Sequence, residues 1–208
     1  MNTTMQALIA DHPGDLPAIG ATGREWLRYE GLRDLSREVG SSLNAMGIGA
    51  GDRVGIVLPN GPEMATAFVT VAQVATTAPL NPAYREDEYA FYLEDLKAKA
   101  LLIAADDEGP AYAAALKLGL PVIRLSVPDG AAAGYFTLSS DMNGEASRAP
   151  TADDVALILH TSGTTSRPKI VPLLQSNVAA SAHHIRESLA LTPEDRCLNV
   201  MPLFHIHG

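Results

Sequence analysis

Cysteine, long apolar runs and positive charge are all scarce in this chain of 208 residues. Cys197 is the only cysteine, which excludes an internal disulfide framework and any cysteine-based metal cluster. Its place at the head of the apolar stretch Cys197 to Met201 reads as an inert buried thiol beside a strand. No segment approaches the roughly 20 apolar residues that a membrane span needs. The N-terminus, MNTTMQALIADHPGD, has neither the basic start nor the apolar run of a secretory signal. The expectation is a soluble, cytoplasmic protein without a membrane span. Basic residues number 15 against 24 acidic ones, a formal net charge of −9. Binding to nucleic acid or anionic lipid is therefore not expected, because neither polyanion is drawn to an acidic surface. A small polyanion needs only a local positive, N–H-rich site, so net charge does not oppose it.

What the chain does have is the composition of a well-cored globular protein, 47% hydrophobic and 19% charged. Leu32, Leu35, Val39 and Leu43 recur at helical spacing, and Gly47 follows as a stop. Val54 to Leu58 is a short apolar strand closed by Pro59, Asn60 and Gly61. A second helix starts there, with Asn60 placed to cap, Pro62 in the first turn, and Met64, Phe68, Val71 and Ala75 on one face. Ala78 to Leu80 is extended and ends at Asn81 and Pro82. Glu86, Asp87 and Glu88 then open a third helix whose stripe is Tyr89, Tyr92, Leu93 and Leu96, a core face rather than a stacking platform. Leu101 to Ala104, a helix from Tyr112 to Leu118 stopped by Gly119, and a strand from Val122 to Leu125 complete the alternation. Strands alternating with helices predict an α/β fold, a predominantly parallel sheet with helices on both faces. From Ser126 to Asp153 the pattern dissolves into Gly, Ala, Ser and Pro, which reads as a surface excursion or linker with PDGAAAG at its tip. Val155 resumes with a strand. Val178, Ala182, Ile185 and Leu189 fit a helix begun near Ser176 or Asn177, and Cys197 to Met201 reads as a last strand.

The chemistry concentrates in Leu157 to Val171, LILHTSGTTSRPKIV. An apolar strand stops at Thr161, Ser162, Gly163, Thr164, Thr165 and Ser166, a segment in which every residue but the glycine carries a hydroxyl. Gly163 allows successive N–H groups to converge on one concavity, the hydroxyls add donors, and Lys169 supplies positive charge. Such a loop suits a polyphosphate. By itself a Ser/Thr-rich loop is as readily a plain turn. It is not a Walker loop, because Pro168 precedes Lys169 and Ile170 follows it. Pro168 fixes its own backbone and biases Arg167 away from helix, so the segment leaves the loop as a strand.

TSGTTSRPK resembles the phosphate-loop signature of the acyl-adenylate-forming superfamily (the AMP-dependent synthetases and ligases), which usually reads TSGTTGxPKG. GDRVGIVLPNGPE, APLNP and MPLFHIHG match further landmarks of that family in order, so the resemblance extends from about Tyr29 onward. Ser166 stands where most members have Gly, and with LHTSGTTSRPK and PLFHIHG it is similar to the oxalate-CoA ligase-like branch of the acyl-CoA synthetases. Ile170 occupies another usual Gly position. A β-branched residue there fits an ordinary strand and would be disruptive if the backbone needed positive φ.

The resemblance implies an acid-thiol ligase: a carboxylic acid attacks the α-phosphate of Mg-ATP to give acyl-adenylate and pyrophosphate, and CoA then displaces AMP. ATP, Mg2+ and CoA are thus the implied cofactor and substrates. Thr161, Ser162, Gly163, Thr164, Thr165, Ser166 and Lys169 would hold the ATP phosphates, with Lys169 limited to phosphate contact or loop support. His205, after Phe204, would line the acyl side of the site. His205 and His207 share a side if their segment is extended, but no third ligand is near, so no metal site is assigned. His183 and His184 point in different directions on a helix and are assigned nothing.

Family members run to more than twice this length. The resemblance therefore implies that residues 1–208 are the N-terminal portion of the adenylate-forming domain, without the C-terminal lid domain, and inactive as a synthetase alone. The other reading open at this point is a short protein that binds nucleotide or a partner without catalysis. Self-association through Leu203, Phe204 and Ile206 is a further expectation.

Overall fold

Residues 3–146, 148–161 and 168–208 are described by the computed structural model of the chain. In order, the elements are α1 (Met5–Ala10), β1 (Pro17–Ile19), β2 (Leu27–Arg28), α2 (Tyr29–Ala45), β3 (Arg53–Val57), α3 (Pro62–Val71), β4 (Thr76–Pro79) and α4 (Glu86–Leu96). There follow β5 (Ala100–Ala104), α5 (Pro110–Leu118), β6 (Val122–Ser126), β7 (Thr137–Ser139), β8 (Val155–Thr161), β9 (Lys169–Leu174) and α6 (Gln175–Ser188). Seven strands form one sheet in the order β7-β6-β5-β3-β4-β8-β9, and β1 and β2 pair separately. Neighbours from β6 to β8 run parallel, while β7 and β9 are antiparallel edges. The predominantly parallel α/β sheet expected from the sequence is present.

The strand alternation sorts side chains onto two helical layers. Val54, Ile56 and Leu102 face a core with Leu35, Val39 and Leu43 of α2 and Met64 and Val71 of α3. Val57, Leu101 and Ile103 face the other way, onto Tyr89, Leu93 and Leu96 of α4 and Ala111, Ala114 and Ala115 of α5. The chain steps one way from β3 to β4 and then reverses past β3 to β5. With right-handed crossovers, that reversal puts α3 and α4 on opposite faces.

Helix limits follow local chemistry, with one difference. α5 ends at Gly119, which takes φ +62, a left-handed stop open to glycine. α3 begins at Pro62 as expected, but its cap is Gly61 and not Asn60. The Asn60 carboxamide oxygen instead accepts a hydrogen bond from the Leu203 N–H at 2.8 Å. The long contact uses the acceptor that a cap would have used.

Four further expectations are corrected. Ser126 to Asp153 is neither linker nor plain excursion: β7 pairs with β6, and Ala133 and Phe136 are fully buried. Within PDGAAAG, Gly134 sits at φ +85 against Thr66, whose hydroxyl donates to the Gly134 carbonyl at 2.7 Å. The supposed tip is thus docked on α3. The last strand, Cys197 to Met201, does not form; among the described residues it has no sheet neighbour, and Leu198 and Val200 are exposed. A strand without a neighbour to take its N–H and C=O groups gains nothing over irregular chain. Cys197 is accordingly exposed, not buried. Finally, α6 starts at Gln175 and buries Gln175 and Ala179, whereas Ile185 and Leu189 of its apolar stripe are exposed. Gln175 ties distant parts together: its side-chain oxygen accepts from Met5 N–H at 2.9 Å and its amide donates to the Ala72 carbonyl at 2.6 Å.

Candidate functional site at the carboxyl edge of the sheet

The parallel pairing brings three of the sequence landmarks to one edge. Thr77 lies opposite Leu157, so Asn81 and Thr161, each four residues further on, leave β4 and β8 at the same end of the sheet. The Leu58 to Gly61 segment leaves β3 at that end too, since β3 and β4 are parallel. In open α/β sheets this carboxyl edge is where ligands bind.

β8 and β9 form an antiparallel hairpin in which Thr161 is the Cα partner of Lys169 and His160 of Ile170. Both Thr161 and Lys169 are exposed. The pair closes the mouth of the polar loop, and Lys169 stands at its base. Ser162, Gly163, Thr164, Thr165 and Ser166 lie outside the described residues. The exit from the loop as a strand, expected from Pro168, is what the structure has. Ile170 lies within that strand, and positive φ outside glycine occurs only at Lys97 and Ala190 among the described residues. It packs against the α4 and α5 core, so the usual glycine is not needed there.

The hairpin is sewn to the sheet by side chains as well as backbone. Thr76 Oγ1 donates to the Val155 carbonyl at 2.7 Å and Thr77 Oγ1 to the Ala156 carbonyl at 2.9 Å. On the α4 side, Tyr84 stacks on Tyr92 at 4.9 Å, and Tyr89 donates its hydroxyl to the Asn81 carbonyl at 2.9 Å. Burial pushes the Tyr89 phenol up to about 12 and that of Tyr84 higher still, so both remain neutral donors.

His205 sits at a separate corner. The chain from Asn199 to Gly208 is a compact turn and not an extended segment: His205 N–H donates to the Pro202 carbonyl at 3.0 Å, and Asn199 Nδ2 donates to the Gly208 carbonyl at 2.8 Å. The Leu203 to Asn60 hydrogen bond fastens this turn to the end of β3, and Leu203 packs on the α2 and α3 core. The His205 and His207 rings still face each other at 5.9 Å. Among the described residues no three His, Cys, Asp or Glu side chains group as metal ligands. The structure thus pairs Thr161 with Lys169 and brings the His205 turn to the same sheet edge, without a contact between His205 and that pair among the described residues.

One side chain of this region escaped the reading of the sequence. His160 precedes Thr161, its side chain is only 7% exposed, and its Nε2 lies 3.3 Å from Asp95 of α4. Its ring meets that of Tyr92 edge-on at 4.6 Å. Burial holds the imidazole below its ordinary value, against the upward pull of the Asp95 carboxylate. The available signal was parity: Ile158 and His160 share one face of β8, so an imidazole stood at a core position.

Comparison with known proteins shows the family and the fold. Residues 5–208 match the family described as AMP-binding enzyme. The chain is 38% identical over 199 residues to an oxalate–CoA ligase of Arabidopsis thaliana, covering 93% of this chain and 39% of that protein. It is 36% identical over 214 residues to an oxalate–CoA ligase of Saccharomyces cerevisiae, covering 85% of this chain and again 39% of the relative. The crystal structure of ATP-bound MatB from Rhodopseudomonas palustris superposes with a TM-score of 0.79 at 27% identity, over 100% of this chain and 42% of that one. The chain spans about two fifths of the length of these relatives. Its fold is that of the N-terminal domains of adenylate-forming enzymes. No helix among the described residues is long and apolar enough to cross a membrane. Matched from Met5 to Gly208 and folded as these enzymes are, the chain belongs to the AMP-binding enzyme family.

Proposed function

We propose that the Thr161 to Lys169 turn holds the β- and γ-phosphates of ATP, and that the chain is the N-terminal part of an ATP-dependent acyl-CoA synthetase. The observation that supports this most directly is the hairpin register. It sets Lys169 opposite Thr161 at the carboxyl edge of a parallel sheet, so a cation stands where the two ends of a sequence of five hydroxyl-bearing residues and one glycine meet. Donors aimed at the leaving pyrophosphate stabilise charge that grows as the α-phosphate is attacked. In the proposed reaction a carboxylate adds to the α-phosphorus of Mg-ATP, pyrophosphate leaves, and the CoA thiol displaces AMP from the acyl-adenylate.

Thr161, Ser162, Gly163, Thr164, Thr165, Ser166 and Lys169 take the phosphates in this reading, and His205 stands on the acyl side. A small dicarboxylic acid of the oxalate class is the proposed substrate, on the strength of the Ser166 and PLFHIHG resemblance and the names of the two relatives. The proposed setting is the cytosol, where ATP and CoA are supplied. Residues 1–208 provide the phosphate turn and one corner of the acid site, and do not complete the synthesis alone.

Calorimetric titration of the 208-residue chain with Mg-ATP and with pyrophosphate tests the turn. Lys169→Ala and the double change Thr164→Ala with Thr165→Ala are expected to weaken both ligands about tenfold, the scale of one or two charge-assisted hydrogen bonds. Unchanged affinity in both variants refutes the assignment.

A further inference from the structure

A cleft of about 450 Å3, within the range of small-molecule sites, opens where the β1–β2 ribbon meets the chain that follows α6. Pro17, Glu25, Trp26, Arg28 and Arg196 line it, and it shares none of them with the Thr161, Lys169 and His205 region. On β2, Leu27 turns inward to the α2 core, so Trp26 and Arg28 on either side of it turn outward. Pro17 of β1 is the Cα partner of Arg28. The indole lies flat on glycine: a Cβ at Gly20 would stand 2.5, 2.6 and 2.7 Å from Trp26 Cε2, Cδ2 and Cζ2. Cδ2 and Cε2 are the ring-fusion atoms, so Gly20 covers a face of the indole and not its rim. Trp26 is nonetheless 46% exposed. Among the described residues no other ring and no guanidinium stacks on it.

The two arginines are held without being neutralised. Arg28 Nη1 donates to the Asp15 carbonyl, and Arg196 Nη1 donates to the Pro193 and Asp195 carbonyls at 2.9 and 2.7 Å. Among the described residues neither guanidinium forms an ion pair with a carboxylate. Each keeps N–H donors on its remaining nitrogens. Glu25 is the one acid of the lining, so in a chain of net charge −9 this cleft is locally positive. We propose that it binds a small aromatic anion, with the ring on the exposed face of Trp26 and a phosphate or carboxylate group held by Arg28 and Arg196. Flat rings stack on indole, and guanidinium takes either oxyanion through parallel N–H bonds. Glu25 repels a second acidic group on the ligand. A ringless dicarboxylic acid therefore fits this cleft poorly, and the site stands whether or not the phosphate turn holds ATP.

Trp26 is the only tryptophan of the chain, so its fluorescence reads the cleft directly. The 208-residue chain is titrated with phenyl phosphate and with benzoate, against inorganic phosphate and benzyl alcohol as the anion and the ring alone. At least one aromatic anion is expected to give a saturable change, with inorganic phosphate and benzyl alcohol each about tenfold weaker. A lead for phenyl phosphate assigns the ligand as a phosphate monoester, and a lead for benzoate as a carboxylate. Arg28→Ala and Arg196→Ala should each weaken binding about tenfold, and Arg196→Lys should recover part of that loss. Calorimetry of Trp26→Leu should show binding about fivefold weaker. Lys169→Ala should change nothing, which separates this site from the phosphate turn. The absence of a saturable change with both probes overturns the proposal. So does unchanged affinity in both arginine variants, inorganic phosphate binding as tightly as phenyl phosphate, or a loss that merely tracks the melting temperature of each variant. Should Trp26→Leu fail to fold, the arginine variants, which keep the reporter, decide.

Discussion

Two ionisable residues show how single side chains set the pH limits of this chain. Asp154 accepts from Arg148 through both oxygens, at 2.6 and 2.7 Å, and from the Thr151 N–H at 2.6 Å. These donors hold its carboxyl well below the ordinary 3.8. A depressed carboxylate contributes stability that is complete above its unfolded value and is lost as pH falls toward the folded one. The stability gap between wild type and Asp154→Ala should therefore be constant near neutrality, about 1 kcal/mol, and close below pH 3.8, as read by urea titration at stepped pH. His160 carries the same sign for a different reason. Burial lowers its pKa from 6.5, so the unfolded chain takes up the proton first and stability falls as pH drops below that value. Thermal melts from pH 7.5 down to 5 should show a fall that His160→Gln lacks. The contact of His160 with Asp95 was not legible in the sequence because the two are 65 residues apart, and only the folded sheet sets them side by side. The strand into Thr161 and the strand out through Lys169 were legible because their signals, an apolar run and Pro168, are local to the chain.

Helices and strands were readable where their burial is periodic. Leu32, Leu35, Val39 and Leu43 are buried as their spacing indicates, and so are Tyr89, Leu93 and Leu96. Legibility failed where pairing depends on distant chain. Phe136 is buried because α2 and α3 are there to receive it, and nothing in its own Gly/Ala-rich surroundings announces that. Conversely, Cys197 to Met201 has strand composition but no neighbour. Two element-level outcomes follow. Gly134→Ala places a Cβ 2.7 Å from Thr66 Cγ2 and 3.1 Å from the Pro62 carbonyl oxygen at φ +85, so it should cost about 1–3 kcal/mol, measured by denaturant unfolding. Thr77→Val keeps the shape and removes the hydroxyl donated to β8. About 1 kcal/mol of stability should go with it, and hydrogen exchange should rise in β8 and β9 before it rises in β3 and β5.

At the scale of the whole molecule, apolar side chains are unevenly covered. Ile185 on α6 and Leu189 just after it are 52% and 66% exposed, and Leu198, Val200 and Ile206 are also exposed. Leu203, expected among the sticky residues, is instead packed on the α2 and α3 core. Exposed patches of this kind mark contact surfaces. Sedimentation of the 208-residue chain should show concentration-dependent self-association, reduced by Ile185→Glu with Leu189→Lys; a strictly monomeric wild type would contradict it.

The strand order also governs how the chain is made. β5, β6 and β7 lie on one side of β3 and follow it closely in the chain, but the outer edge of β4 is filled by β8, whose Ala156 follows Thr77 by 79 residues. A chain that folds as it is made would carry, until then, a bare parallel edge lined by Thr76, Thr77 and Ala78. Unpaired edges recruit strands from other chains. Chaperone demand should accordingly peak in chains stalled before residue 155 and drop once the β8–β9 hairpin can close the gap, so the strand that ends at Thr161 also ends the most hazardous stage of synthesis.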